Sequence, residues 1–133
     1  MSWTNGIQNN WQKDNNRDIV EQWYNHNAFK TNTLVYYGAG PGFAYYVRQN
    51  RKYKKSIEKK VIYMKWLRNK TGEEYLAYLK SIYGNKWPQK LYIVATHMLS
   101  DDIEIPIKQF TKNGYKRVNI YNNQGLLVRL IKD

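Results

Sequence analysis

Between Asn16 and Phe29 the side chains Ile19, Val20, Trp23 and Asn27 recur every three to four positions, the period of a helix lying with one face on a core. Asp18 suits the positive first turn of that helix. Upstream, Trp3, Ile7 and Trp11 either extend the stripe or form an arm over the core. A second helix is expected over Thr71–Tyr83. Thr71 and Glu74 have the T-x-x-E spacing of a capping box, and Tyr75, Leu76, Leu79, Ile82 and Tyr83 form its apolar stripe. Gly84 provides the stop and Pro88 prevents continuation.

Elsewhere the pattern points to strands. Residues 31–47 carry no charge, but Gly38, Gly40, Pro41 and Gly42 divide them into apolar halves too short for a membrane span. Two buried strands joined by a glycine turn are expected there. The basic block, residues 48–70, is ambiguous. As a helix it would put Ile57, Val61, Met64 and Leu67 on one face, with Lys55, Lys59, Ile62 and Trp66 opposite. As a strand, Ile62, Met64 and Trp66 would face one way and Val61, Tyr63, Lys65 and Leu67 the other. Branched and aromatic side chains favour the strand. Phe43–Gln49 would then pair with it as a hairpin whose tip carries Arg51, Lys52, Lys54 and Lys55.

Beyond Pro88, Leu91–Met98 is a short apolar run. Ile103, Ile105 and Ile107 alternate around Pro106, as in an edge strand. Val118 and Ile120, then Leu126, Val128 and Leu130 after the Asn122–Gly125 loop, form a hairpin. The expected fold is a single α+β domain over residues 1–133, an antiparallel sheet with two or three helices. A chain of 133 residues has no room for two independent cores.

Composition changes the picture in three ways. At 42% hydrophobic and 16% aromatic the chain is too apolar for a disordered basic tail. The absence of cysteine excludes disulfides, iron–sulfur clusters, cysteine-ligated zinc and a cysteine nucleophile. The first thirty residues lack the basic start and apolar middle of a signal peptide, so a cytoplasmic protein without a membrane partner is expected. Abundant Asn, Lys, Ile and Tyr fit an AT-rich coding source, such as a low-GC bacterium or its phage.

Charge adds more. The net charge is +12, yet residues 1–47 are neutral and residues 71–133 carry only +3. Residues 48–70 hold ten cations against Glu58 alone, a net +9. Such a block attracts polyanions, and interleaved Tyr53, Tyr63 and Trp66 supply faces on which bases stack. The phosphate-gripping candidates are Arg48, Arg51, Lys52, Lys54, Lys55, Lys59 and Lys60, with Tyr53 and Trp66 stacking or packing beneath. Tyr36, Tyr37, Tyr45, Tyr46 and Tyr92, read as alternating in strands, would pack or widen a single-strand platform.

Other chemistries are poorly provided for. Gly38-Ala39-Gly40-Pro41-Gly42 lacks the Gly-Lys-Ser/Thr ending of a Walker loop, and with Phe43–Val47 read as extended it is a turn between strands. Its amides would still make an anion nest. Glu58-Lys59-Lys60 has no acid close upstream to complete a metal-nuclease pattern. Asp102 and Glu104, read on one face of a strand, are the remaining Mg²⁺ candidates. Metal-free RNA cleavage needs a base, an acid and a cation. His26 and His97 are the available pair, with Thr111 and Tyr115 to hold phosphate. The expectation is a basic nucleic-acid-binding protein, for DNA or RNA, without a cofactor and without catalysis. The alternatives are an inhibitor docking its basic face on an acidic host protein such as a nuclease or polymerase, and an endoribonuclease using His26 and His97.

Overall fold

The computed structural model describes residues 16–36, 40–64, 71–96, 100–123 and 125–132. Helix α1 (residues 16–25) leads through a short 3-10 turn, Ala28–Lys30, into strand β1 (Asn32–Val35). Then follow α2 (Gly40–Gln49), the one-turn helix α3 (Lys55–Glu58), β2 (Val61–Tyr63) and α4 (Gly72–Tyr83). The chain closes with β3 (Lys90–Thr96), α5 (Ser100–Thr111), β4 (Tyr115–Asn122) and β5 (Gly125–Lys132). The fold is α+β, built on one five-stranded sheet in the order β2-β1-β3-β5-β4.

The sheet is mixed rather than antiparallel throughout. Strand β1 pairs in parallel with both β2 and β3, while β5 pairs antiparallel with β3 and β4. Among the described residues five helices accompany it, more than the two or three expected. They cover both faces. Leu91, Ile93 and Ala95 of β3 pack with Tyr75 and Leu79 of α4 and Ile103, Ile107 and Phe110 of α5. Tyr92 and Val94 face the other way, onto Ile19, Val20, Trp23 and Tyr24 of α1 and Phe43 and Val47 of α2. A strand buried on both sides reads as a continuous apolar run, which is why Leu91–Thr96 shows no alternation.

The capping box of α4 forms as expected. Glu74 N donates to Thr71 Oγ1 at 3.2 Å, and Thr71 N donates to Glu74 Oε1 at 3.3 Å. Gly84, at φ 59°, ends the helix with its N–H on the Lys80 carbonyl. The β4–β5 hairpin also forms, with a register irregularity between Asn119 and Tyr121. In α1, Ile19, Val20 and Trp23 are buried, and the Trp23 indole donates to Thr33 Oγ1 at 2.8 Å. Asn27 leaves the stripe. It lies past the helix in the left-handed region at φ 57°, exposed.

Two expected strands are helices. Phe43–Gln49 belongs to α2 and forms no hairpin with the basic segment; β2 pairs with β1 instead. Phe43 and Val47, four apart, are the buried pair, and Tyr45 between them is exposed. Pro41 fits a first turn, where its missing N–H has no partner to lose. A Cβ on Gly42 would come within 2.5 Å of Asn16 Nδ2, so that glycine permits the close approach of α1 and α2. Ile103, Ile105 and Ile107 likewise lie in α5, which accommodates Pro106. Ile103, Ile107 and Phe110 provide the buried helical stripe, and Ile105 is only partly covered.

Candidate nucleic-acid interface

The basic segment runs from the end of α2 to the start of β2. After Gln49 the chain turns at Asn50, whose Oδ1 accepts from Lys52 N at 2.8 Å. Ile57 of α3 is buried and anchors the segment to the α1–α2 core. Thr33 N then donates to the Lys60 carbonyl at 2.9 Å, locking the segment's end beside the start of β1. These constraints leave Arg51, Lys52, Lys54, Lys55, Lys59 and Lys60 exposed on a fixed backbone.

Arg48 and Tyr53 occupy a different position. Arg48 Nε lies 2.7 Å from Glu58 Oε1, joining the last turn of α2 to α3. Glu58, the segment's one acid, has its carboxyl held below the usual range by its hydrogen bond to Arg48 and then by one from Tyr53. Arg48 is correspondingly raised, first by that hydrogen bond and then by the charge of Glu58. The phenol of Tyr53 is pushed up by burial first, then by Glu58. Arg48, Glu58 and Tyr53 therefore form a clasp that closes the loop. Such exposed ion pairs add little stability but fix geometry.

Parallel pairing of β1 and β2 brings the residues before each strand together. Lys30 precedes β1, Lys60 precedes β2, and Lys60 Nζ donates to the Lys30 carbonyl at 2.9 Å. Together with Lys52 and Lys54 they line a pocket of about 410 Å³ whose remaining walls are Phe29, Ser56 and Ile57. Four of its seven lining residues are lysines, and among the described residues no carboxylate lines it. Phe29 offers an aromatic face, with Lys30 Nζ 5.9 Å from its ring centre. Lys52 also lines a neighbouring pocket of about 370 Å³ with Arg17, Glu21, Tyr24, Tyr46 and Arg51. The two pockets thus meet at Lys52. The cluster lies at the amino ends of β1 and β2 and at the carboxyl end of α2, whose dipole favours cations.

Lys30 and Phe29 lie far from the basic segment in sequence, and the parallel pairing of β1 and β2 carries them to it. Trp66 lies outside the described residues, as do Lys65, Arg68 and Lys70. Tyr63 is 47% exposed at the edge of the sheet. Tyr36 and Tyr92 are core residues and display no ring to solvent, whereas Tyr45 is 56% exposed on α2 rather than on a strand.

The alternative sites fare differently. His26 is exposed in the turn after α1, and His97 lies outside the described residues. Tyr115 is buried and its hydroxyl donates to the Pro88 carbonyl. Thr111 Oγ1 donates to the Lys108 carbonyl at 3.3 Å. Asp102 and Glu104 lie on α5 and not on a strand, and Glu104 is paired with Arg117 of β4 at 2.5 Å. Among the described residues no three His, Asp or Glu side chains gather closely enough to hold a metal ion. No helix among them is long and apolar enough to cross a membrane. Comparison with protein-family models, with curated proteins and with solved structures gives no match.

Proposed function

We propose that this chain is a cytoplasmic, non-catalytic nucleic-acid-binding protein that holds a phosphate backbone, of DNA or RNA, at the amino end of its parallel strands. The observation that carries the reading is the pocket where Lys30, Lys52, Lys54 and Lys60 converge with no facing carboxylate among the described residues. Four cations held this close repel one another, and a polyanion relieves that repulsion while releasing its own counterions. Phe29 at the pocket wall suits the face of a base, and Lys52 at the junction suits the phosphate between two consecutive units. Arg51, Lys55 and Lys59 extend the field around the pocket, with Arg48 and Tyr53 shaping the loop that carries it.

The test is fluorescence anisotropy with labelled single-stranded DNA, duplex DNA and RNA, run on the parent and on R51E/K52E/K54E. The reading expects salt-steep binding by the parent and its loss in the variant, with the thermal melt nearly unchanged because all three side chains are exposed. Full binding by the variant would overturn it. Absence of binding to every probe, with a stable complex to one acidic protein, would assign the same face to protein docking.

A further inference from the structure

A field of cations does not by itself choose between one strand and two. A duplex carries its phosphates at higher density, so charge alone favours it. The lining of the two pockets that meet at Lys52 points the other way.

In the pocket of about 410 Å³, Lys30, Lys52, Lys54 and Lys60 are exposed, whereas Ile57 is buried and Phe29 half-buried. The cations thus form the rim and the apolar side chains the floor. Phe29 is fixed from behind. Its ring centre lies 5.2 Å from that of Tyr24 and 6.2 Å from that of Trp23, both core residues. A ring held in place with cations around it is a stacking surface for a base. A phosphate gains nothing from such a floor, because an anion loses hydration against apolar surface.

Tyr24, in contact with Phe29, lines the neighbouring pocket of about 370 Å³, so the two recesses adjoin across this ring pair. The Tyr24 hydroxyl donates to the Val47 carbonyl at 2.8 Å and holds the partition to α2. The second recess has a different lining. Glu21, Asn25 at the end of α1 and Gln49 at the end of α2 bring a carboxylate and two carboxamides to it. All three are exposed, and they carry no side-chain hydrogen bond or ion pair among the described residues. A carboxamide offers a donor and an acceptor together, and a carboxylate accepts from amino and imino groups. These complement the Watson–Crick edges of bases, which a duplex spends on its partner strand. Glu21 would repel a phosphate seated beside it, whereas a base donates to it.

Resting on the nucleic-acid reading, we infer that the ligand is a single strand with two consecutive unpaired bases in the two recesses, one stacked on Phe29 and the other read at its edge by Glu21, Asn25 and Gln49. Lys52, which lines both recesses, takes the phosphate between them.

The test is anisotropy with three labelled probes: a short single strand of mixed sequence, the same sequence as a duplex, and an abasic strand of equal length. The abasic strand keeps the phosphates and lacks the bases. The parent should bind the intact single strand about tenfold tighter than either of the others. Phe29→Leu, which removes the ring but keeps an apolar side chain against Tyr24, should weaken the intact strand about tenfold and leave the abasic strand unchanged. Phe29→Tyr keeps the ring and should bind as the parent does. N25A/Q49A, at exposed positions where the thermal melt should not move, should weaken the intact strand about fivefold and leave the abasic strand unchanged. Duplex or abasic strand bound by the parent as tightly as the intact strand would overturn the inference and leave the phosphate-holding reading standing. So would an equal loss on the intact and abasic strands in Phe29→Leu, which would make the ring a support of the loop only. Failure of the parent to bind any of the three probes would overturn both.

Discussion

Neutralising Lys52 and Lys54 should change the salt dependence of nucleic-acid binding by a calculable amount. Four lysines converge on the pocket, and a strand seated there neutralises about four phosphates. For single strands each neutralised phosphate contributes about −0.7 to the slope of log affinity against log salt, giving a slope of roughly −2.8. Between about 50 and 200 mM salt the parent should therefore lose affinity about 50-fold. K52Q/K54Q leaves two lysines, so its slope should fall to roughly −1.4 and its loss over the same range to about sevenfold. The control is K108Q/K112Q, which neutralises two exposed lysines at the end of α5 outside the pocket and should leave the slope as in the parent. Anisotropy titrations of a labelled single strand at four or five salt concentrations read all three slopes. Equal slopes for the parent and K52Q/K54Q, or an equal fall in K108Q/K112Q, would refute the argument that these lysines hold the phosphates.

Further predictions concern the scaffold. Thr71→Ala removes the capping box of α4 and should cost about 1 kcal/mol in urea unfolding. Tyr24 is pushed up to about 12 by burial first and then by Tyr53, so it keeps its proton folded after the unfolded chain has lost its own. The stability it contributes is complete below pH 10 and is lost as pH rises from 10 toward about 12. Urea melts across that range should show a smaller decline for Tyr24→Phe than for the parent. Glu58→Gln frees Arg48 and removes the segment's one carboxylate, so single-strand affinity measured by anisotropy should rise. In the parent the clasp is intact above pH 4.5 and is lost as pH falls through the lowered value of the folded state.

Local signals were readable where chemistry and period agreed. The Thr71–Glu74 box, the glycine stop at Gly84 and the β4–β5 hairpin depend on neighbours within a few positions, and all three are present. The errors arose where two periods coincide over a short window. Phe43, Tyr45 and Val47 alternate as a strand would, yet Phe43 and Val47 are also one helical turn apart, and packing against Trp23 and Val94 selects the helix. Ile103, Ile105 and Ile107 are ambiguous for the same reason. Pro106 argued for an edge strand, but α5 accommodates it while burying Ile103, Ile107 and Phe110.

The basic segment was legible as charge but not as a site. Composition located the cations within residues 48–70; the parallel pairing that adds Lys30 and Phe29 is a tertiary fact. Arg48 illustrates the converse, since its charge counts toward the block while its guanidinium is engaged by Glu58.

The most direct test of the central claim is a titration of the ¹⁵N-labelled protein with a short single strand, followed amide by amide. The account predicts that the largest shifts fall on Phe29, Lys30 and residues 52–60, around the four converging lysines. Shifts concentrated on α4 and α5, across the sheet from that pocket, or none at all at concentrations that saturate the strand, would contradict it.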